Sequence, residues 1–158
     1  MQLEHRFATR LEWDGRTADG YRAYSRAHRG SGPPDGPELA LSAAAAFRGD
    51  AARLNPEQLL VLAASSCQLL SFLAVAAAAG LDVRSYRDDA AGVLPQSAGP
   101  MMVAAIVLCP HVVLGPGGDP GAIPALMQQA HEQCIIANSV RTPITVEATV
   151  EVLADPTE

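Results

Sequence analysis

The longest apolar stretch of the chain, Leu59 to Ala79, constrains everything else, because other parts of the chain have to be arranged around it. Its length reaches that of a membrane-spanning helix. Ser65, Ser66, Gln68 and Ser71 punctuate it, alanines fill much of it, and no basic cluster flanks it. It therefore reads as a buried helix of a soluble protein. The preceding residues form a strong helix start. Asn55 suits the cap, Pro56 the first helical position, and Glu57 the positive end of the helix dipole. Gly80 marks the stop. A helix that is apolar nearly all round belongs at the centre of a fold.

The remaining segments read mostly as strands. Leu3 to Trp13 places Leu3, Phe7, Leu11 and Trp13 on one parity, as a half-buried strand does. Asp14 to Gly20 is a turn, and Tyr21 to Arg26 can return as the second arm of a hairpin. Residues 28–38, rich in Gly and Pro, read as a loop, with a weak strand near Leu39 to Leu41; Ala43 to Leu54 is ambiguous. Leu81 to Leu94 and Met101 to Leu114 read as strands, the second interrupted at Pro110. A second helix is expected from Ile123 to about Ile136, and a clean alternating strand from Pro143 to Leu153. The 158 residues predict a single α+β domain over 1–158, a mainly antiparallel sheet packed on two helices.

Composition narrows the function. Aromatic residues make up 4 %, against 49 % hydrophobic overall, so the core is built from Ala, Leu and Val. A base-stacking surface is disfavoured. The net charge of −6, from 11 basic and 17 acidic residues, argues against nonspecific binding to nucleic acid or anionic membranes. The segment from Met1 to Arg6 lacks the apolar core of a signal peptide, so a cytoplasmic location is expected.

Three cysteines are too few, and odd in number, for a secreted disulfide scaffold. Cys67 falls in the middle of the long helix. Cys134 falls near the end of the second, and Cys109 lies in a strand beside Pro110. Each could be a small core residue. His131 and Cys134 have i, i+3 spacing and could offer two ligands from one helix face, but two further zinc ligands have no evident source. No metal and no cofactor is expected.

Two segments add a resemblance. Asn55-Pro56-Glu57-Gln58-Leu59-Leu60, followed by the helix to Cys67, resembles the first-cysteine segment of the OsmC/Ohr family. Ala130-His131-Glu132-Gln133-Cys134-Ile135-Ile136-Ala137-Asn138-Ser139 is similar to its second-cysteine segment. Tyr21-Arg22-Ala23-Tyr24 and Ala46-Phe47-Arg48-Gly49-Asp50 resemble an OsmC-like subgroup. The resemblance implies an OsmC-like fold with a long buried central helix, in an intertwined homodimer with sites at the subunit interface. It also implies reduction of organic hydroperoxides, or hydrogen peroxide, by a two-cysteine cycle. Cys67 would be peroxidatic and Cys134 resolving, with Glu57 and an arginine from an early turn completing the site. Arg16 is the best match and Arg26 its rival. A dithiol, of lipoyl type among the candidates, would restore the pair. Gln68 departs from the family pattern, where Phe is frequent.

The implied chemistry needs a thiolate, since a free cysteine with a pKa near 8.5 is mostly protonated at neutral pH. Burial would raise that value further, so a cation such as the Arg16 guanidinium is needed. Glu57 stands ten residues before Cys67, roughly 15 Å along a straight helix. It would act from a partner subunit or by orienting Arg16; otherwise it is a helix-start carboxylate. His28 could line a substrate entrance. The alternative function is a non-catalytic dimer of the same fold that binds a small apolar ligand or senses redox state.

Overall fold

A computed structural model describes residues 4–32, 36–96 and 99–155. Leu3 of the expected first strand, and Pro33 and Pro34 of the expected loop, lie outside them. By density of internal contacts the chain divides into two compact units, one ending at Leu59 and one beginning at Leu60.

The first unit is a three-stranded antiparallel sheet of β1 (Arg10–Glu12), β2 (His28–Ser31) and β3 (Leu39–Leu41), in the order β1-β2-β3. The return arm of the hairpin is therefore β2. Tyr21 to Arg26, expected to be that arm, forms no strand: residues 21–24 are turn and bend, and residues 28–31, expected to be loop, are strand. The cause is Arg26. Its guanidinium donates to the carbonyls of Tyr24 and Tyr21 and lies 4.1 Å and 4.6 Å from the centres of their rings, which coils the segment on itself. The weak strand at Leu39–Leu41 forms as expected.

The ambiguous stretch before the long helix is a tight turn. A single 3-10 turn covers Ala45–Phe47, and Arg48 adopts a left-handed conformation with φ of 66°. At Gly49 a Cβ would sit 1.6 Å from the Ala43 carbonyl oxygen, so only glycine fits. The hydroxyl of buried Ser42 accepts the Asp50 amide at 3.0 Å and closes the turn.

α1 runs unbroken from Pro56 to Ala78. Its start is a reciprocal cap. The Asn55 carboxamide oxygen accepts the Gln58 N–H at 2.8 Å, and the Gln58 side-chain oxygen accepts the Asn55 N–H at 3.0 Å. Its end is a Schellman motif: Gly80, at φ of 72°, donates to Ala77 while Leu81 donates to Ala76.

In the second unit the expected long strands are present but each is bent. Leu81 to Leu94 becomes β4 (Val83–Asp88) and β5 (Ala91–Val93). Met101 to Leu114 becomes β6 (Ala105–Leu108) and β7 (Pro110–Leu114). The terminal strand becomes β8 (Ile144–Val146) and β9 (Thr149–Val152). Two three-stranded sheets result, β4-β7-β9 and β5-β6-β8. The β4–β7 and β5–β6 pairs are antiparallel; β6–β8 and β7–β9 are parallel, because a helical crossover returns the chain to the same edge. Asp88 stitches one bend: its carboxylate accepts the Cys109 N–H at 2.7 Å and the Ser65 hydroxyl.

Two apolar clusters fill this unit. Phe72, Val75 and Ala76 of α1 pack with Val112, Leu114, Ile123, Met127 and Ala130. Ala64 packs with Ile106 and Leu108. These contacts take up one face of α1. Leu62, Leu70 and Leu73 on another face are exposed, Leu70 to 65 %, so the helix is central to the core without being covered all round within one chain. By length and composition it would also suffice to cross a membrane.

The second helix also departs from expectation. α2 covers Ile123–Gln133, after a 3-10 turn at Pro120–Ala122, and α3 covers Ile135–Ser139. Between them Cys134 is extended, with φ −69° and ψ 110°.

Candidate functional site

The break at Cys134 creates the site. The side chain of Cys134 is turned inward and 1 % exposed. Its sulfur accepts the Ala137 N–H at 3.4 Å, capping α3. Cys67, half-buried on α1, accepts the Ile136 N–H on its sulfur at 3.5 Å. The two thiols are neighbours, close enough for the Cys67 side chain to act on the Cys134 proton, and both are free. Elements 69 and 3 residues away in sequence thus donate adjacent backbone amides to adjacent sulfurs.

This arrangement can do dithiol chemistry. Burial pushes the Cys134 thiol above its ordinary value and the Cys67 side chain beside it pushes the same way, while the Ala137 amide opposes both. Cys134 therefore keeps its proton and can offer it to an acceptor at Cys67.

Next to Cys67 on α1, Gln68 is wholly buried. Its amide nitrogen donates to the Met127 carbonyl of α2 at 3.2 Å. The sequence marks Gln68 as a polar residue inside an apolar helix and as a departure from the family pattern, but assigns it no role; a buried polar group that needs a partner is the signal that singles it out. The Asp88 link to Ser65 and Cys109 went unnoticed altogether, since nothing in local spacing pairs residues so far apart. Cys109 lies at the bend between β6 and β7, half-buried.

Of the four expected site residues, Cys67 and Cys134 are brought together within the second unit. Arg16 and Glu57 belong to the first. Arg16 is exposed and makes a long ion pair with Asp19, at 3.8 Å. Glu57 occupies the first turn of α1, and its Oε2 is buried with no hydrogen-bond partner among the described residues. Arg26 is engaged by its own loop, as above. It lines a mainly apolar groove of about 370 Å³ within the first unit, together with Leu11, Trp13, Tyr24 and His28. His131 and Glu132 lie on the last turn of α2. Among the described residues no three His, Cys, Asp or Glu side chains gather as a metal site would require.

With this geometry established, comparison places the chain. Residues 49–149 match the family model described as OsmC-like protein. The chain belongs to the OsmC-like family. A search of curated proteins finds no match. Among solved structures, an OsmC-like protein of unknown function from Vibrio cholerae superposes with a TM-score of 0.84 at 32 % identity. The match covers 92 % of this chain and 100 % of that one. An organic hydroperoxide resistance protein OsmC from Legionella pneumophila matches at a TM-score of 0.66 and 17 % identity, covering 96 % and 100 %. The organic hydroperoxide resistance protein OhrB of Bacillus subtilis matches at 0.61 and 16 %, covering 93 % and 98 %. These last two share the OsmC fold with this chain. The matched family segment contains both Cys67 and Cys134, together with the whole of α1.

Proposed function

We propose that this OsmC-family chain is a thiol-dependent peroxidase that reduces organic hydroperoxides, or hydrogen peroxide, through Cys67 and Cys134. The observation that carries the reading is the pair of free thiols held side by side at the helix break. The thiolate of Cys67 attacks the terminal oxygen of the hydroperoxide. The O–O bond breaks, Cys67 becomes a sulfenic acid, and the alkoxide leaves as the alcohol after taking a proton. The Cys134 sulfur then attacks the sulfenic sulfur, forming the Cys67–Cys134 disulfide and releasing water. An external dithiol, by exchange through a mixed disulfide, returns both thiols and is itself oxidised. Cys109 has no part in this cycle.

Arg16 is the better of the two arginines for holding the peroxide and stabilising the thiolate. Its guanidinium has one long, solvated ion pair, whereas Arg26 already spends donors on two backbone carbonyls. Glu57 is its natural partner, because a buried carboxylate oxygen without a donor favours a cation nearby. The working form is a homodimer. The exposed stripe of Leu62, Leu70 and Leu73 on α1 is the kind of surface a second copy covers. The reducing cytoplasm would keep the resting pair as thiols.

The test is intact-mass spectrometry of the reduced protein titrated with a stoichiometric organic hydroperoxide, followed by peptide mapping. A loss of two hydrogens mapped to Cys67–Cys134 is the expected result. An unchanged mass, or sulfinic acid on Cys67 with Cys134 untouched, overturns the two-cysteine cycle.

A further inference from the structure

Gln68 is wholly buried, yet only part of its amide is used. The nitrogen donates to the Met127 carbonyl at 3.2 Å and lies 3.9 Å from the Met127 sulfur, while Oε1 has no partner among the described residues. An apolar side chain of the same size would avoid burying that unpaired acceptor. Stability alone therefore does not explain a glutamine here.

Its position offers an explanation. Successive residues on a helix point about 100° apart at 3.6 residues per turn, so Cys67 and Gln68 face different neighbours. Gln68 holds α2 through Met127, and Cys67 holds α3 through the Ile136 amide. Cys134 is the single residue joining α2 to α3. Of these two ties from α1, the one through the Cys67 sulfur is disturbed when that sulfur forms a bond to Cys134. The tie through Gln68 involves neither sulfur.

We propose that Gln68 is a positioning residue for the Cys67–Cys134 disulfide: by hydrogen-bonding the Met127 carbonyl it fixes α2 against α1, and through the two remaining turns of that rigid helix keeps Cys134 within reach of Cys67. It works by raising the effective concentration of one thiol at the other. The inference rests on the dithiol reading of the pair, but not on a peroxide being the oxidant.

The experiment uses glutathione as the oxidant and reductant, so that peroxidase activity is not involved. The disulfide forms as both thiols lose their protons and two electrons to glutathione disulfide, which yields two reduced glutathiones. Wild type, Gln68→Met and Gln68→Leu are equilibrated across a series of glutathione ratios, quenched by alkylation, and the Cys67–Cys134 disulfide is quantified by mass. In both variants the equilibrium should move toward the dithiol by about tenfold, ~30 mV for a two-electron couple. The melting temperature of the reduced form should be unchanged or higher. A purely structural glutamine predicts the reverse pattern, a lower melting temperature with the wild-type equilibrium. That result overturns the proposal, as does a wild-type protein that forms no such disulfide at any ratio. Peroxide inertness together with the expected glutathione shift would instead overturn the peroxidase reading and leave this inference standing.

Discussion

The backbone N–H of Ile136 points at the sulfur of Cys67 from 3.5 Å, which ties the short last helix to the middle of the long one. The next amide along, Ala137, serves Cys134 in the same way. One short stretch of chain thus donates a backbone N–H to each of two sulfurs brought together from distant parts of the sequence.

The two cysteines should fail differently. Cys67→Ser is expected to abolish peroxide consumption, a loss of at least about a thousandfold, because a hydroxyl is not ionised at neutral pH. Cys134→Ser should consume about one equivalent and then stall, with Cys67 advancing to sulfinic acid. Colorimetric assay of residual hydroperoxide, with mass analysis of the protein, separates the cases. Sustained turnover by Cys134→Ser would sink the resolving role.

Alkaline pH should weaken the reduced fold through Cys134. Its folded-state pKa lies above the ordinary thiol value, mainly because of burial. The folded protein therefore holds this proton at pH values where the unfolded chain has lost it. The contribution is fully present below about pH 9 and is lost as pH rises through the folded value. Melting temperatures of the reduced protein from pH 7 to 11 should fall more steeply for wild type than for Cys134→Ser. Parallel curves would contradict the assignment.

Leu70 tests the exposed helix stripe. Wild-type protein should sediment as a dimer, and Leu70→Lys should shift it toward monomer, since a charge at a buried interface position costs several kcal/mol. Sedimentation equilibrium decides, and a variant that remains fully dimeric places the interface elsewhere.

Asp88 should matter for stability. Asp88→Ala leaves the Cys109 N–H and the Ser65 hydroxyl without their acceptor. The expected cost is about 2 kcal/mol. For a chain of this size that is a fall of about 4–8 °C in melting temperature. Glutathione titration of the thiols should be unaffected. A change under about 1 °C would show that water replaces the carboxylate without loss.

Much of the scaffold was legible locally. Asn55, Pro56, Gln58 and Gly80 bound α1 through contacts a few residues long, and Leu39–Leu41, Val83–Asp88 and Pro110–Leu114 carry their strand character in their own side chains. The hairpin arm at Tyr21 to Arg26 was not legible, because its outcome hangs on where one guanidinium folds back. The interruption of the strand at Pro110 was legible, and β6 and β7 part there, but the bend between Val146 and Thr149 was not, since nothing in the alternation of Pro143 to Leu153 marks it.

By itself the sequence determined where α1 begins and ends, where the strands of the second unit run, and that two of the three cysteines sit in segments resembling those of a known family. Those properties depend on neighbours a few residues apart. Only the tertiary structure decided that the second helix breaks at Cys134, that its sulfur meets Cys67, and that Gln68 spans to Met127. Each of those joins residues far apart in the chain, and such contacts arise only once α1, α2 and the sheet have packed on one another.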